Sequence, residues 1–218
     1  MPVIAILRHG QASFGTDDYD NLSDLGRLQA QVAGRELQRR GLRSPVLISG
    51  SLKRQRETAE IAGIEMGVEP SRVDSRFDEF DAHAAVEAHL GRPGATDGMD
   101  SGEFQRHLDA AMAVWMESGD PRWQQFVEGA LSGLADLAAS LPSGTDAVVA
   151  TSAGVTAAIT GSLLGASPDG VIALNRCSVN ASITTVVSGA RGLSLVTFND
   201  HSHVLGWTID DVPLLTHR

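Results

Sequence analysis

V-I-A-I-L-R-H-G, residues 3–10, carries the reading of this chain. Five apolar residues, Val3 to Leu7, run straight into Arg8, His9 and Gly10. The run is too short for a helix and ends in a glycine-containing turn, so it reads as a buried strand. Its last side chains are a cation and an imidazole, and burying either without a partner would be costly. They must therefore face a cleft or a ligand. In open α/β sheets the ligand crevice lies at the carboxyl ends of the strands, which is where Arg8 and His9 fall.

Two more buried strands end on polar turns. Pro45 leads into V-L-I-S (46–49), followed by a turn and then Lys53 and Arg54; D-A-V-V-A (146–150) is followed by T-S-A-G (151–154). Parallel strands bring their carboxyl ends to one rim, so the three turns can meet there. Between the first two strands, residues 11–22 read as a loop rich in Gly, Asp and Asn. A helix follows over 24–40, with Ser23 as N-cap, Leu25, Leu28, Val32 and Leu37 as its apolar stripe, and Gly41 as C-cap. A second helix is expected from about Leu52 to Met66 and a third strand around 72–77. Residues 80–145 hold loop signals from Gly91 to Gly102 and two helical stretches, 103–117 and 122–140, where Trp115, Trp123 and Phe126 pack. So long a segment between strands reads as an inserted cap over the crevice, about residues 82–145. An uncharged helix is expected over 155–165, then strands at 181–188 and 193–198 joined by a hairpin turn from Gly189 to Gly192, and a loop beyond. The predicted fold is α/β: a mostly parallel, doubly wound sheet with helices on both faces, an antiparallel edge strand and an inserted helical cap, in one domain over 1–218.

A formal net charge of −10 argues against nucleic acid or an anionic membrane as partner, since both need a basic surface. It leaves room for a small phosphorylated substrate, because two arginines can set the field of one pocket. A single cysteine, Cys177, allows no disulfide within the chain, which fits a reducing cytoplasm, and it reads as a small buried hydrophobe rather than a nucleophile. The first apolar run ends at Arg8 and is too short for a signal peptide. The uncharged stretch 147–168 reads as a buried strand and helix, not a membrane span. The sequence is silent on oligomeric state.

Arg8-His9-Gly10 directly after a first buried strand resembles the signature of the histidine phosphatase superfamily, the phosphoglycerate mutase-like family. S-G-S-L-K-R-Q-R-E-T-A (49–59) resembles its second signature, S-D-L-G-R-L-Q-A (23–30) the helix opening after its first loop, and N-A-S-I-T (180–184) its late edge strand. The resemblance implies that His9 is a nucleophile forming a phosphohistidine, with Arg8 and Arg54 clamping the phosphoryl group. The chemistry suits the residue types. Arginine stays charged and offers paired planar donors to a dianion, and a neutral imidazole can divide one displacement into two. Without the match, Arg54 beside Lys53 and Arg56 would read as a solvated helical face. In R-F-D-E-F-D (76–81), Glu79 matches the family's acid that protonates the leaving oxygen, with Asp78 and Asp81 as rivals. Gln11, Ser13 and Gly154 are further phosphate-facing candidates.

Two departures stand out. The family's second histidine, in a Ser-His-Gly setting, falls here on Ala153; losing one preorganised donor typically costs about 10²–10³ in rate. Either His9 and the arginines suffice, or His201 or His203 fills the gap, or the protein binds phosphate compounds without turning them over. The first loop has Gln11, Ala12 and Gly15 where the mutases carry Glu, Thr and Asn. The expectation is a metal-independent phosphomonoester hydrolase needing no cofactor; the alternatives are mutase-type phosphoryl transfer and a phosphate-ligand-binding module. His201-x-His203 with Asp200 is too nonspecific to read as a metal site.

Overall fold

The computed structural model describes residues 1–13, 20–209 and 211–217. Six strands form one sheet in the order β3-β2-β4-β1-β5-β6. At its centre, β1 (Val3–Arg8) runs parallel to β4 (Ala147–Thr151), with Ile4 opposite Ala147 and Arg8 opposite Thr151. On the far side of β4 lies β2 (Val46–Ser49), also parallel, and then β3 (Pro70–Val73). An antiparallel hairpin, β5 (Ile183–Gly189) and β6 (Gly192–Asp200), completes the other side.

Strand period dictates the layering. Ile4, Ile6, Ile48, Ala147 and Val149 face one way and pack with Leu134 and Leu137 of α5 (Pro121–Ser140) and Val155 and Ile159 of α6 (Ala153–Leu164). Their neighbours Ala5, Leu7, Leu47, Val148 and Ala150 face the other way, against Ala33 and Leu37 of α1 (Asp24–Arg39) and Ala59 and Ala62 of α2 (Lys53–Met66). Successive side chains on a strand point to opposite faces, so near-continuous apolar strands require helices on both. Both faces are covered, and the mostly parallel sheet with its antiparallel edge is as the sequence predicts. At the amino ends, buried Asp146 accepts Val3 N at 2.8 Å, Arg43 N at 2.8 Å and Arg43 Nη2 at 2.6 Å. This stitch fixes where β1, β2 and β4 start, and so which residues reach the opposite rim.

Several elements differ from expectation. The third strand is Pro70–Val73 rather than 72–77, because the Asp74 carboxylate accepts Arg76 N at 3.1 Å and turns the chain into a 3-10 helix, Ser75–Phe77. Phe77 is then a core side chain, not a strand residue. A helix α3 (Ala82–Leu90) precedes α4 (Ser101–Glu117); it buries only Val86, which leaves too narrow a stripe to detect. Another, α7 (Pro168–Cys177), follows α6, with Ser167 as N-cap and Pro168 in its first turn. Cys177 ends α7 and is exposed, so it is not the buried hydrophobe expected. Helix α1 closes on Arg40, one residue before the left-handed Gly41. A small pair, β7 (Thr208–Ile209) and β8 (Val212–Pro213), follows the loop after β6. Of the predicted first loop, residues 14–19, including Gly15, lie outside the described residues. Among those described, no helix is long and apolar enough to cross a membrane.

Candidate active site

The carboxyl ends of β1, β2 and β4 share one rim. His9 N donates to Thr151 O at 2.8 Å, and Gly50 N to Ala150 O at 3.0 Å, so the turns after the three strands are hydrogen-bonded side by side. Gly10 presses against the first turn of α1: a Cβ there would lie 2.1 Å from Gly26 O, so no larger residue fits without moving the helix. Gly10 N donates to Thr58 Oγ1 at 3.2 Å, which ties the β1 turn to α2. Arg54 stands one turn earlier on that helix, and Thr58 Oγ1 donates to its carbonyl at 2.8 Å.

His9 Nδ1 lies 2.7 Å from Gly10 O. A carbonyl oxygen only accepts, so Nδ1 carries the proton and Nε2 keeps its lone pair. Arg54 Nε donates to that Nε2 at 3.2 Å. The imidazole and guanidinium, 45 residues apart in sequence, are thus in direct contact. Burial, reinforced by the positive charge of Arg54 and Arg8, holds the His9 pKa well below 6.5. The ring is neutral at physiological pH, and its unprotonated nitrogen accepts from Arg54. Arg8 is also buried, and its Nη1 donates to Ser178 O at 2.5 Å.

In 76–81, Glu79 lies in the field of both Arg54 and Arg8. Burial lifts its pKa above 4.5, against the lowering pull of Gly154 N and then of the arginines. Gly154, in the first turn of α6, donates its N–H to Glu79 Oε2 at 2.9 Å. A Cβ at 154 would fall 2.2 Å from Glu79 Oε1, so glycine is what lets the carboxyl approach. In the structure the amide of Gly154, a phosphate-facing candidate in the sequence, donates to Glu79. Asp78 is turned away, accepting 2.5 Å from Ser51 Oγ as well as from Ser51 N, and exposed Asp81 caps α3 through Ala84 N at 2.9 Å.

Gln11 and Ser13 brace the first loop. Gln11 Oε1 accepts from Ser23 Oγ at 3.0 Å, and Ser13 N donates to Asn21 O at 2.8 Å. Residues not singled out by sequence hold the rest together. Fully buried Gln55 donates to Phe77 O at 2.9 Å and Ser152 Oγ at 2.8 Å, tying α2 to the segments bearing Glu79 and Gly154. Asp20 accepts from Arg54 Nη1 at 2.6 Å and from Lys53 N at 2.7 Å, fixing the guanidinium and capping α2. Gln55 follows Arg54 inside a charged stretch and Asp20 sits in an acidic loop, so neither carries a periodic signal.

Ala153 opens α6 just beyond Thr151, whose carbonyl accepts from His9 N. Each late histidine has a ring nitrogen on a main-chain carbonyl. His201 Nδ1 lies 2.6 Å from Asn199 O. His203 Nε2 donates to Ala181 O at 2.9 Å, and its charged surroundings are Glu36, Arg40 and Asp200. Both are half-buried rather than exposed, as a plain loop reading would have them. No group of three or more His, Cys, Asp or Glu side chains that could hold a metal ion occurs among the described residues.

Comparison with known proteins agrees with this geometry. The model of the histidine phosphatase superfamily (branch 1) matches residues 4–201. A mycobacterial hydrolase is 25% identical, with a TM-score of 0.64, covering 91% of this chain and 98% of its own. The mycobacterial glucosyl-3-phosphoglycerate phosphatase is 24% identical with a TM-score of 0.63, over 92% of this chain and 99% of its own. Among curated proteins, the mitochondrial serine/threonine-protein phosphatase Pgam5 of Drosophila mojavensis is 36% identical over 74 residues, 33% of this chain. The match spans only 26% of that relative's length.

Proposed function

The chain belongs to the histidine phosphatase superfamily, and on that footing we propose that it is a phosphomonoester hydrolase working through a phosphohistidine at His9. The observation that carries the reading is the 3.2 Å contact of Arg54 Nε with an Nε2 whose lone pair is fixed by the Nδ1–Gly10 bond. When a phosphoryl dianion enters, Arg54 turns its Nε donor from His9 to its oxygens and Arg8 adds its charge to the clamp. Nε2 attacks phosphorus, the bond to the leaving oxygen breaks, and protonated Glu79 gives its proton to that oxygen. The phosphoimidazolium keeps its Nδ1 proton, stabilised by Gly10 O. Water then attacks the phosphohistidine, Glu79 takes up the proton, and phosphate and neutral His9 are restored. The helices between β3 and β4 act as the cap that selects the substrate, a small phosphorylated molecule. Phosphatases and a hydrolase among the similar proteins support the class of reaction.

Ala153 supports a second reading, a module that binds phosphate compounds with little turnover. One experiment separates the two. The protein is mixed with a panel of phosphomonoesters in the presence of chelator and quenched in alkali within milliseconds. Turnover with an acid-labile phosphoryl group on His9, both lost in His9→Ala, is the expected result. Undiminished hydrolysis by His9→Ala overturns the mechanism; melting shifts with phosphate but no turnover in the unaltered protein favour the binding module.

A further inference from the structure

Beside His9 lies a buried polar chain that the reaction scheme does not use. Gln29, on α1, is fully buried. Its Oε1 accepts Gln11 N at 2.7 Å, and its Nε2 donates to Leu214 O at 2.7 Å and Thr216 Oγ1 at 2.8 Å. Thr216 Oγ1 passes its own proton to Asn180 Oδ1 at 2.9 Å, and Thr216 O accepts Asn180 N at 2.9 Å. Asn180, equally buried, returns to the site: its Nδ2 donates to His9 O at 3.4 Å, beside Ala181 N at 3.2 Å. Ala181 holds a left-handed φ of 58°, which an alanine rarely adopts unless its surroundings require it. Its surroundings therefore impose that turn. Leu214 anchors the strap apolarly, fully buried with Val179 and Val204.

We propose that Gln29, Asn180 and Thr216 are positioning residues: the C-terminal segment is a strap that grips the catalytic turn on both sides, at His9 O and at Gln11 N. Their bonds reach the site at His9 O and Gln11 N, so they act through the main chain that carries the imidazole. The logic is that of outer-shell partners, which orient a reacting group without touching the substrate. Thr216 is the hinge of the chain, taking one hydrogen bond and giving another. The proposal rests on His9 being the reacting group.

The test compares Thr216→Val, which keeps the shape and removes the hydroxyl, with Thr216→Ser, which restores it. Hydrolysis of p-nitrophenyl phosphate should show kcat about tenfold lower in Thr216→Val, with KM held and Thr216→Ser near the unaltered protein. The His9 Nδ1–H proton, observed by NMR, should exchange faster in Thr216→Val and normally in Thr216→Ser. An unchanged kcat, or a loss that serine does not rescue, overturns the strap. Should the protein turn over no phosphomonoester, the phosphatase reading fails, and the exchange measurement alone decides: faster exchange upholds the strap, unchanged exchange overturns it.

Discussion

His9 and Glu79 face the same two arginines and are pushed in opposite directions. Burial first, then Arg54 and Arg8, lower the imidazole below 6.5, while burial raises the carboxyl above 4.5 because the arginines only partly compensate. Each shift favours the form the proposed first step needs: a free nitrogen on His9, a proton on Glu79. The sign follows for the pH profile of kcat/KM. Activity falls on the acid side as His9 gains a proton, at a pH well below 6.5, and on the alkaline side as Glu79 loses its proton, above 4.5. The optimum therefore lies between the lowered His9 value and the raised Glu79 value. Glu79→Gln should abolish the alkaline limb that belongs to Glu79. It should also slow alkyl phosphates, whose alkoxide needs the proton, by about 10²-fold or more, while p-nitrophenyl phosphate suffers less. Steady-state rates of the two substrate types across pH check both statements.

At the scale of elements, the site is made by two close backbone approaches. Helix α6 comes so near the segment after β3 that Glu79 and Phe80 fill the space a side chain at 154 would need, the nearest Phe80 atom being 2.6 Å from that Cβ. Gly154→Ala should therefore move the carboxyl while leaving the helix, where alanine is preferred to glycine, intact. The expected outcome is a fall in kcat of about 10²-fold, since a displacement near 1 Å can cost that much. A melting temperature near that of the unaltered protein would show that the loss is local. Gly10 against Gly26 makes the other approach, and together they explain why strand ends and helix starts, not helix faces, hold the reacting groups.

Across the whole molecule, the strand ends that meet at one rim depend on register at the opposite rim, and Asp146 secures that. Burial raises its pKa, but hydrogen bonds from Arg43 and Val3 outweigh this and hold it at about 2. Its folded value lies below its ordinary 3.8. The stabilisation is therefore complete above that value and is lost as pH falls from about 4 toward 2. Asp146→Ala leaves Val3 N and Arg43 N without their acceptor and should cost about 3 kcal/mol in urea unfolding at neutral pH. The difference from the unaltered protein should narrow on acidification through the same range. Strands β1, β2 and β4, the β5–β6 hairpin, α1, α2 and the Arg-His-Gly turn were legible in the sequence, because apolar period and turn residues are local properties fixed by backbone geometry. So was the family, because its signatures lie at strand ends. Helices α3 and α7 were not: the first buries too little for a stripe, and the second follows a run so uniformly apolar that its own period is masked. The approach of Glu79 to the Gly154 amide, the tautomer of His9 and the bonds of Thr216 to Gln29 and Asn180 were decided only by the tertiary structure. Each depends on which atoms from distant segments come within 3 Å or so of one another, the reach of a hydrogen bond, and no local pattern encodes that distance.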